Sequence, residues 1–313
     1  MTIKFKFNKY SRRFKQPLKT HHGLWGVREG IIIELMDEKG KVGWGEIAPL
    51  SWFGSETLRE AMDFCESLPG IITENLIFSI PMSLPACQFG LESALTQLQG
   101  NDEEIPKLEN SGLLPTGKAG LSAWKDLVNR GYTTLKWKIG VDSIDNELNW
   151  LEILASQMSE IQGLSLRLDA NGGLNFAESD RLLDICDRIS LGDTSFKIEF
   201  LEQPLGVNEL EGMLALTKGH LTSIALDESV ATLTQINQCY QQGWRGIFVI
   251  KPAIVGSPKQ LRKLYHTLGI DGVFSSVFET EIGQKASLQL AAELCQSHRA
   301  VGFGINHWFV DTD

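Results

Sequence analysis

From about Gly112 onward the chain alternates short apolar runs with amphipathic segments, and this rhythm constrains the fold more than any other feature. The apolar cores fall at Gly112–Leu114, Thr133–Ile139, Leu164–Leu168, Lys197–Leu201, Ser223–Leu226, Gly246–Ile250, Gly272–Ser276 and Val301–Ile305. Each has the length of a strand. Between them, Leu182, Ile185, Cys186 and Ile189 share one helical face, as do Leu210, Met213 and Leu214. Ser257-Pro258 reads as an N-cap with proline at the first helical position, opening a helix that turns Leu261, Leu264 and Tyr265 inward. The step of about 25–35 residues is that of a strand–helix unit. Eight such steps predict an α/β fold, a modified (β/α)8 barrel of TIM type over 111–305, with a doubly wound sheet as the alternative.

Residues 1 to about 110 follow a different order, strands first and helices after, which marks an α+β unit. Met1–Tyr10 alternates, Gly30–Met36 is a β-branched run, and Val42–Ile47 follows the Lys39-Gly40 turn. Helical patterns cover Glu56–Ser67 and Pro85 to about Gln99, the second with Ala86, Phe89, Gly90, Ser93 and Ala94 as a face of small residues and one aromatic. Glu103-Glu104-Ile105-Pro106 reads as a connecting loop.

Composition narrows the partners. A net charge of −10 argues against nucleic acid or an anionic membrane. No apolar run reaches the roughly 18 residues of a membrane span, and the N-terminus lacks the core of a signal peptide. Cys65, Cys87, Cys186, Cys239 and Cys295 are scattered, without a C-x-x-C pair, and read as reduced core thiols of a cytoplasmic protein. The six histidines form no H-x-x-x-H pattern, so zinc is not expected.

The chemistry gathers where the strands end, as it does in barrels of this kind. Lys136 and Lys138 lie two apart in a strand and share a face, while Leu135, Trp137 and Ile139 share the other. Two adjacent ammonium groups disfavour each other's charge, and burial does the same, so the pair is expected to push a lysine pKa down toward proton-transfer range. The next strand ends carry Arg167, Asp169 and Asn171 on one face, then Glu202, then Asp227, then Lys251, then Ser275-Ser276. Glu199 and Glu228 have the opposite parity to Glu202 and Asp227 and read as structural ion-pair residues.

Taken singly, an aspartate at a strand end is most often a turn or cap residue, and an isolated K-x-K is most often an edge strand. Three carboxylates at three successive strand ends would repel one another unless a cation neutralised them. Oxygen donors suit a hard divalent ion such as Mg²⁺. Lysines on both sides of such an ion suit proton transfer at carbon next to a carboxylate.

In this order of residues the chain resembles the enolase superfamily, and within it the o-succinylbenzoate synthase family of menaquinone and phylloquinone biosynthesis. The resemblance extends to Gly43–Thr57, Pro85–Ala94 and Ser275–Gly283 and covers essentially the whole chain. It implies an N-terminal α+β capping domain over 1–110, joined by the C-terminal tail at about 306–313, closing over the barrel. It implies dehydration of a cyclohexadiene carboxylate, a small-molecule substrate. Asp169, Glu202 and Asp227 would ligate Mg²⁺, with Mn²⁺ as a substitute. Lys138 would move the alpha proton, Lys251 would stay charged on the opposite face, and Lys136 would support Lys138 and contact the carboxylate. Asn171, and Ser275 or Ser276, would bind substrate carboxylates, and Arg167 would orient Asp169.

The alternatives are an N-acylamino acid racemase or dipeptide epimerase of the same superfamily and, more remotely, a non-catalytic metal-binding scaffold. An epimerase would need an acidic group for a substrate amine near the last strands, and Gly302-Phe-Gly-Ile-Asn306 offers none. The oligomeric state stays open between monomer and homodimer.

Overall fold

The computed structural model describes residues 2–20, 23–100, 107–192, 196–295, 299–304 and 308–310. The expected loop at Glu103–Pro106, the end of the eighth strand at Ile305 and most of the 306–313 tail lie outside them.

The N-terminal unit is a four-stranded antiparallel sheet backed by helices. Its elements are β1 (Thr2–Thr20), β2 (Gly23–Met36), β3 (Val42–Ile47), α1 (Leu58–Ser67), β4 (Ile71–Thr73), α2 (Glu74–Phe78) and α3 (Pro85–Leu98), with sheet order β3-β2-β1-β4. On β2, Ile31, Ile33 and Leu35 are fully buried while their neighbours Ile32 and Glu34 are half-buried, the alternation of a strand with one face on a core. β1 and β2 run well past the Tyr10 and Gly30 limits expected from alternation. The pairing shifts register between Arg13 and Leu18, and this irregularity hides the hairpin's far end from a period-two reading.

The second unit takes β5 (Gly112–Leu113), α4 (Gly120–Asn129), β6 (Thr134–Lys138), α5 (Ile144–Met158), β7 (Ser165–Asp169), α6 (Phe176–Leu191), β8 (Lys197–Glu202), α7 (Leu210–Gly219), β9 (Ile224–Leu226), α8 (Leu233–Gln241), β10 (Ile247–Ile250), α9 (Pro252–Val255), α10 (Pro258–Leu268), β11 (Gly272–Phe274) and α11 (Glu281–Leu294) in turn. The seven strands are parallel and neighbours in chain order, from β5 to β11. Val301 pairs in parallel with Asn110, and Gly302 with Ser275, so a two-residue bridge joins both edges and closes the barrel. The eighth strand is therefore present only as this bridge among the described residues.

Outward residues of the strands, such as Leu135, Trp137, Leu166, Leu168 and Phe248, pack with the helices into one large core. Inward residues Phe200, Ala225, Ile247, Val249 and Val273 form a separate cluster that fills the barrel's middle. Ser257 caps α10 by accepting from Gln260 N, with Pro258 at the first position.

The two units share a sealed seam. Gly43, Gly45 and Gly90 let β3 and α3 approach backbone to backbone; a Cβ on Gly45 would lie 2.0 Å from the Gly90 carbonyl oxygen. From α3, Gln88 Oε1 accepts from Ser257 N and Glu92 Oε2 accepts from Lys259 N, each at 3.1 Å. Glu46 of β3 is fully buried and accepts from Tyr10 Oη, Thr280 N, Thr280 Oγ1 and Gly283 N. At the C-terminal side, Phe309 pairs with Phe14 of β1.

Candidate active site

Strand register sets the heights of the side chains inside the barrel. Lys138 lies beside Asp169, and Asp169 beside Glu202, so these three sit at one level at the C-terminal rim. Lys136 lies one layer lower, beside Arg167, and its long side chain leans upward. Its Nζ donates to Glu202 Oε1 at 2.8 Å and pairs with Asp169 Oδ2 at 2.9 Å. Across the mouth, the Lys251 ammonium donates to Asp227 Oδ1 and sits 3.9 Å above the Phe53 ring centre. Lys138 makes no hydrogen bond or ion pair among the described residues. Three lysines and three carboxylates thus converge on one mouth in an asymmetric way.

The carboxylates are nearly out of water, with Asp169 8%, Glu202 2% and Asp227 4% exposed. Burial, then repulsion from Asp169, pushes Glu202 up to about 7 against the pull of Lys136. Burial pushes Asp227 up to about 6 despite Lys251. Lys136 departs from the downward shift expected of the lysine pair. Burial lowers its pKa, but Asp169, Glu202 and Asp227 together raise it further, and it stays an ammonium. The carboxylates around it outweigh the neighbouring lysine.

As the side chains stand, the carboxylates are drawn to the two ammonium groups, and no three metal-ligating side chains converge on a point among the described residues. The donor set still fits a hard divalent cation by its chemistry, being all oxygen and buried. Glu228 adds a fourth carboxylate facing Lys251, Asp169 and Glu202, and one of its atoms lacks a partner. Its Oε1 accepts from Asn171 Nδ2 at 3.1 Å, while its Oε2 is buried without a partner. Glu228 therefore belongs to the mouth and is not the ion-pair residue its parity suggested.

The other expected residues separate into two groups. Asn171 (φ 44°) stands at the rim with its amide on Glu228, and Ser275 is half-buried there. Ser276 is turned away, since its hydroxyl donates to Glu279 Oε2 at 2.7 Å and accepts from Phe278 N. Arg167 is 2% exposed and bonded to Glu199, with its guanidinium over the Phe200 ring, and it does not orient Asp169. Glu199 also pairs with Arg299, which pairs with Asp271, giving a charged plug at the barrel's N-terminal end. The ion-pair reading of Glu199 holds. A bulge in the β7–β8 pairing skips Glu199 and turns it toward Arg167.

Three contributors went unseen in the sequence. Phe53 sits in a loop with no periodic signal. Gln203 (φ 39°) is buried between strand ends, accepting from Asp227 N and Ser229 N and donating to Ser229 Oγ, and so fixes the turn that aims Asp227. Arg28 ties the hairpin to the loop before Phe53 through the carbonyls of Ala48 and Pro49.

Comparison with known proteins agrees with this fold. Residues 121–311 match the enolase C-terminal domain-like family, and residues 4–98 match the MenC N-terminal domain. The chain is 38% identical to an o-succinylbenzoate synthase of Thermosynechococcus vestitus, over 98% of this chain and 94% of that one. A second o-succinylbenzoate synthase, from Photorhabdus laumondii, is 32% identical over 82% of this chain and 76% of its own. The crystal structure of the o-succinylbenzoate synthase from Thermosynechococcus elongatus, with Mg in its active site, superposes with a TM-score of 0.90 at 37% identity, covering 97% of this chain and 94% of that one. The L-Ala-D/L-Glu epimerase of Bacillus subtilis shares the fold, with a TM-score of 0.80 at 21% identity and coverage of 99% and 91%. With both halves matched and its relatives aligned almost end to end, the chain belongs to the o-succinylbenzoate synthase family, lyases of the enolase superfamily.

Proposed function

We propose that the protein is a Mg²⁺-dependent enzyme that dehydrates 2-succinyl-6-hydroxy-2,4-cyclohexadiene-1-carboxylate to 2-succinylbenzoate. The observation that carries this reading is the division among its lysines: Lys136 and Lys251 are bound to buried carboxylates, while Lys138 stands at the same rim without one.

Lys138 takes the proton from the carbon bearing the ring carboxylate. It then delivers that proton to the departing hydroxyl, so one C–H and one C–O bond break, a C=C bond forms and water leaves. The ring becomes aromatic in the same step. Lys251 holds its positive charge across the mouth, where it faces the negative charge that develops on the substrate and the forming ring. Lys136 presents a fixed ammonium to the ring carboxylate.

Asp169, Glu202 and Asp227 would hold Mg²⁺, with Mn²⁺ as a substitute. Bound there, the ion supplies positive charge that offsets both the buried carboxylates and the charge growing on the substrate. Asn171 and Ser275 line the substrate's approach. Ser276 and Arg167 act only by shaping the loop and the barrel floor. The pathway context is menaquinone or phylloquinone synthesis in the cytoplasm, with no nucleic acid or membrane partner. No helix among the described residues is long and apolar enough to cross a membrane.

Ultraviolet absorbance of the purified protein with the cyclohexadiene carboxylate tests the reading, since aromatisation changes the spectrum. Rapid conversion that EDTA abolishes and Mg²⁺ restores is the expected result. A folded, Mg²⁺-loaded chain that gives no conversion overturns it. Deuterium exchange at the alpha carbon of N-acyl amino acids or dipeptides would then identify a racemase or epimerase.

A further inference from the structure

The paired strands β1 and β2 place Arg12 directly opposite Arg28. Opposed residues of an antiparallel pair share a face, so the two cationic side chains leave the sheet on the same side. Arg28 is 2% exposed; its Nη1 and Nη2 donate to the carbonyls of Glu29, Ala48 and Pro49, and its Nε is buried without a partner. Arg12 Nη1 is shut off from water without a hydrogen-bond partner, and Arg12 forms no ion pair among the described residues. What holds it is the face of the Phe309 ring, 3.9 Å from its guanidinium carbon. A like-charge neighbour and a buried N–H without an acceptor both cost free energy. An anion would relieve both.

The neighbours of Arg12 place it beside the segment that leads to the rim. Tyr10 and Phe14 lie two residues before and after Arg12 and share its face. Tyr10 donates to Glu46, which accepts from Thr280 in the segment that follows β11. Phe14 meets Phe278 of the same segment edge to face, with centroids 5.3 Å apart. Arg12 therefore hangs between two contacts with the loop that continues from Ser275 at the rim. The roof aromatics run on from Phe14 to Trp25 (5.0 Å) and from Trp25 to Trp52 (5.1 Å), next to the Phe53 that covers Lys251.

We propose that Arg12 binds the second carboxylate of a dicarboxylate substrate, the one on the flexible side chain remote from the reacting ring. This rests on the reaction assigned above, in which the ring carboxylate occupies the lysine end of the mouth. There Lys136 and Lys251 are already committed to carboxylates and Lys138 moves the proton. A guanidinium fork held over an aromatic ring suits a planar carboxylate better than a flexible ammonium would.

The test compares two ligands by calorimetry in Mg²⁺: 2-succinylbenzoate, and the same compound with its side-chain acid replaced by a carboxamide. The wild-type chain is expected to prefer the diacid by tenfold or more. Arg12→Gln is expected to erase that preference by weakening the diacid alone, and Arg12→Lys to recover part of it. Arg12→Met, which keeps the stem over Phe309, repeats the comparison if the glutamine variant does not fold. Equal loss of both ligands, no loss of either, or a wild-type chain without preference overturns the proposal. Turnover is read separately. A chain that dehydrates its substrate yet shows no diacid preference loses this inference alone, and a chain that prefers the diacid but does not dehydrate loses the reaction alone.

Discussion

The Lys251 ammonium lies 3.9 Å from the centre of the Phe53 ring while it donates to Asp227. Lys251 directly follows β10 of the barrel, and Phe53 comes from the loop between β3 and α1 of the cap, so the lysine is gripped by both units. A cation over a ring in a desolvated site is worth about 2 kcal/mol. If that contact holds the charge in place during reaction, Phe53→Leu should lower kcat/KM by about 10- to 30-fold and Phe53→Tyr should change little. Steady-state kinetics at saturating Mg²⁺ decide it, and equal rates for Phe and Leu would remove the contact from the mechanism.

Lys136 and Lys138 share a strand face yet should fail in different ways. Lys138 holds no carboxylate, so Lys138→Ala is expected to cost a factor of about 10³ or more in turnover with little change in melting temperature. Lys136 bridges Asp169 and Glu202, both buried. Lys136→Met strips that pair of its counter-charge, and the metal-free protein should lose about 3–5 kcal/mol of stability. Because a ligand that binds only the native state stabilises it, added Mg²⁺ should return part of the loss. Calorimetric melts with and without Mg²⁺ give the contrast; matching melts for both variants would contradict the assigned roles.

Much of this was legible before the structure. The barrel follows from the strand–helix rhythm because each βα step buries its own apolar face, and the six charged residues stand out because strand ends are otherwise apolar. What escaped has local causes. Parity arguments assume an unbroken ladder. The bulge at Glu199 breaks it, as does the register shift between Arg13 and Leu18 that concealed the hairpin carrying Arg12 and Trp25. The three-residue β4 and five-residue α2 are too short to show a period. Phe53 and Gln203 lie in loops and turns, where no spacing rule announces a partner. The direction of the Lys136 shift depended on distances to Asp169 and Glu202 that a strand pattern does not contain. Ser276 was misplaced because the chain turns immediately after β11, and Glu279 claims its hydroxyl.

The seam between cap and barrel rests on close backbone approach at β3 and α3. Gly45→Ala would push a methyl to 2.0 Å from the Gly90 carbonyl, and that contact involves main chain on both sides, which has no easy escape. The expected cost is about 3 kcal/mol or more. Because Glu46, the next residue, holds Thr280 and Gly283 of the barrel, the same change should weaken substrate binding as well as stability. Chemical denaturation together with KM measures both. A variant as stable as the parent would show that β3 and α3 can separate freely.

Glu279 gives the seam a pH dependence. It is fully buried, accepts from Ser276 Oγ and Val277 N, and has Oε1 without a partner. Burial first, and the nearby Glu46 carboxylate, push it up to about 7, although the hydrogen bonds from Ser276 and Val277 pull the other way. The facing groups are Glu46, the Tyr10 hydroxyl, whose own pKa is raised by burial and by Glu46, and the Arg28 guanidinium, which lowers that of Tyr10. In the unfolded chain this carboxyl titrates near 4.5. Between about 4.5 and 7 the folded protein keeps a proton that the unfolded chain has released, so this residue's contribution to stability is complete below that window. It declines as pH rises through the window and is gone above about 7. At about 1.4 kcal/mol per pH unit of separation, the total is on the order of 3 kcal/mol. Glu279→Gln keeps an oxygen acceptor for Val277 and carries no charge. Relative to wild type it should be similar or slightly weaker near pH 5 and more stable near pH 8, so that the two stability profiles cross or diverge through the window. Parallel profiles from urea denaturation at pH 5, 6, 7 and 8 would mean that Glu279 stays ionised in the folded protein, with Arg28 or a solvent path supplying the compensation.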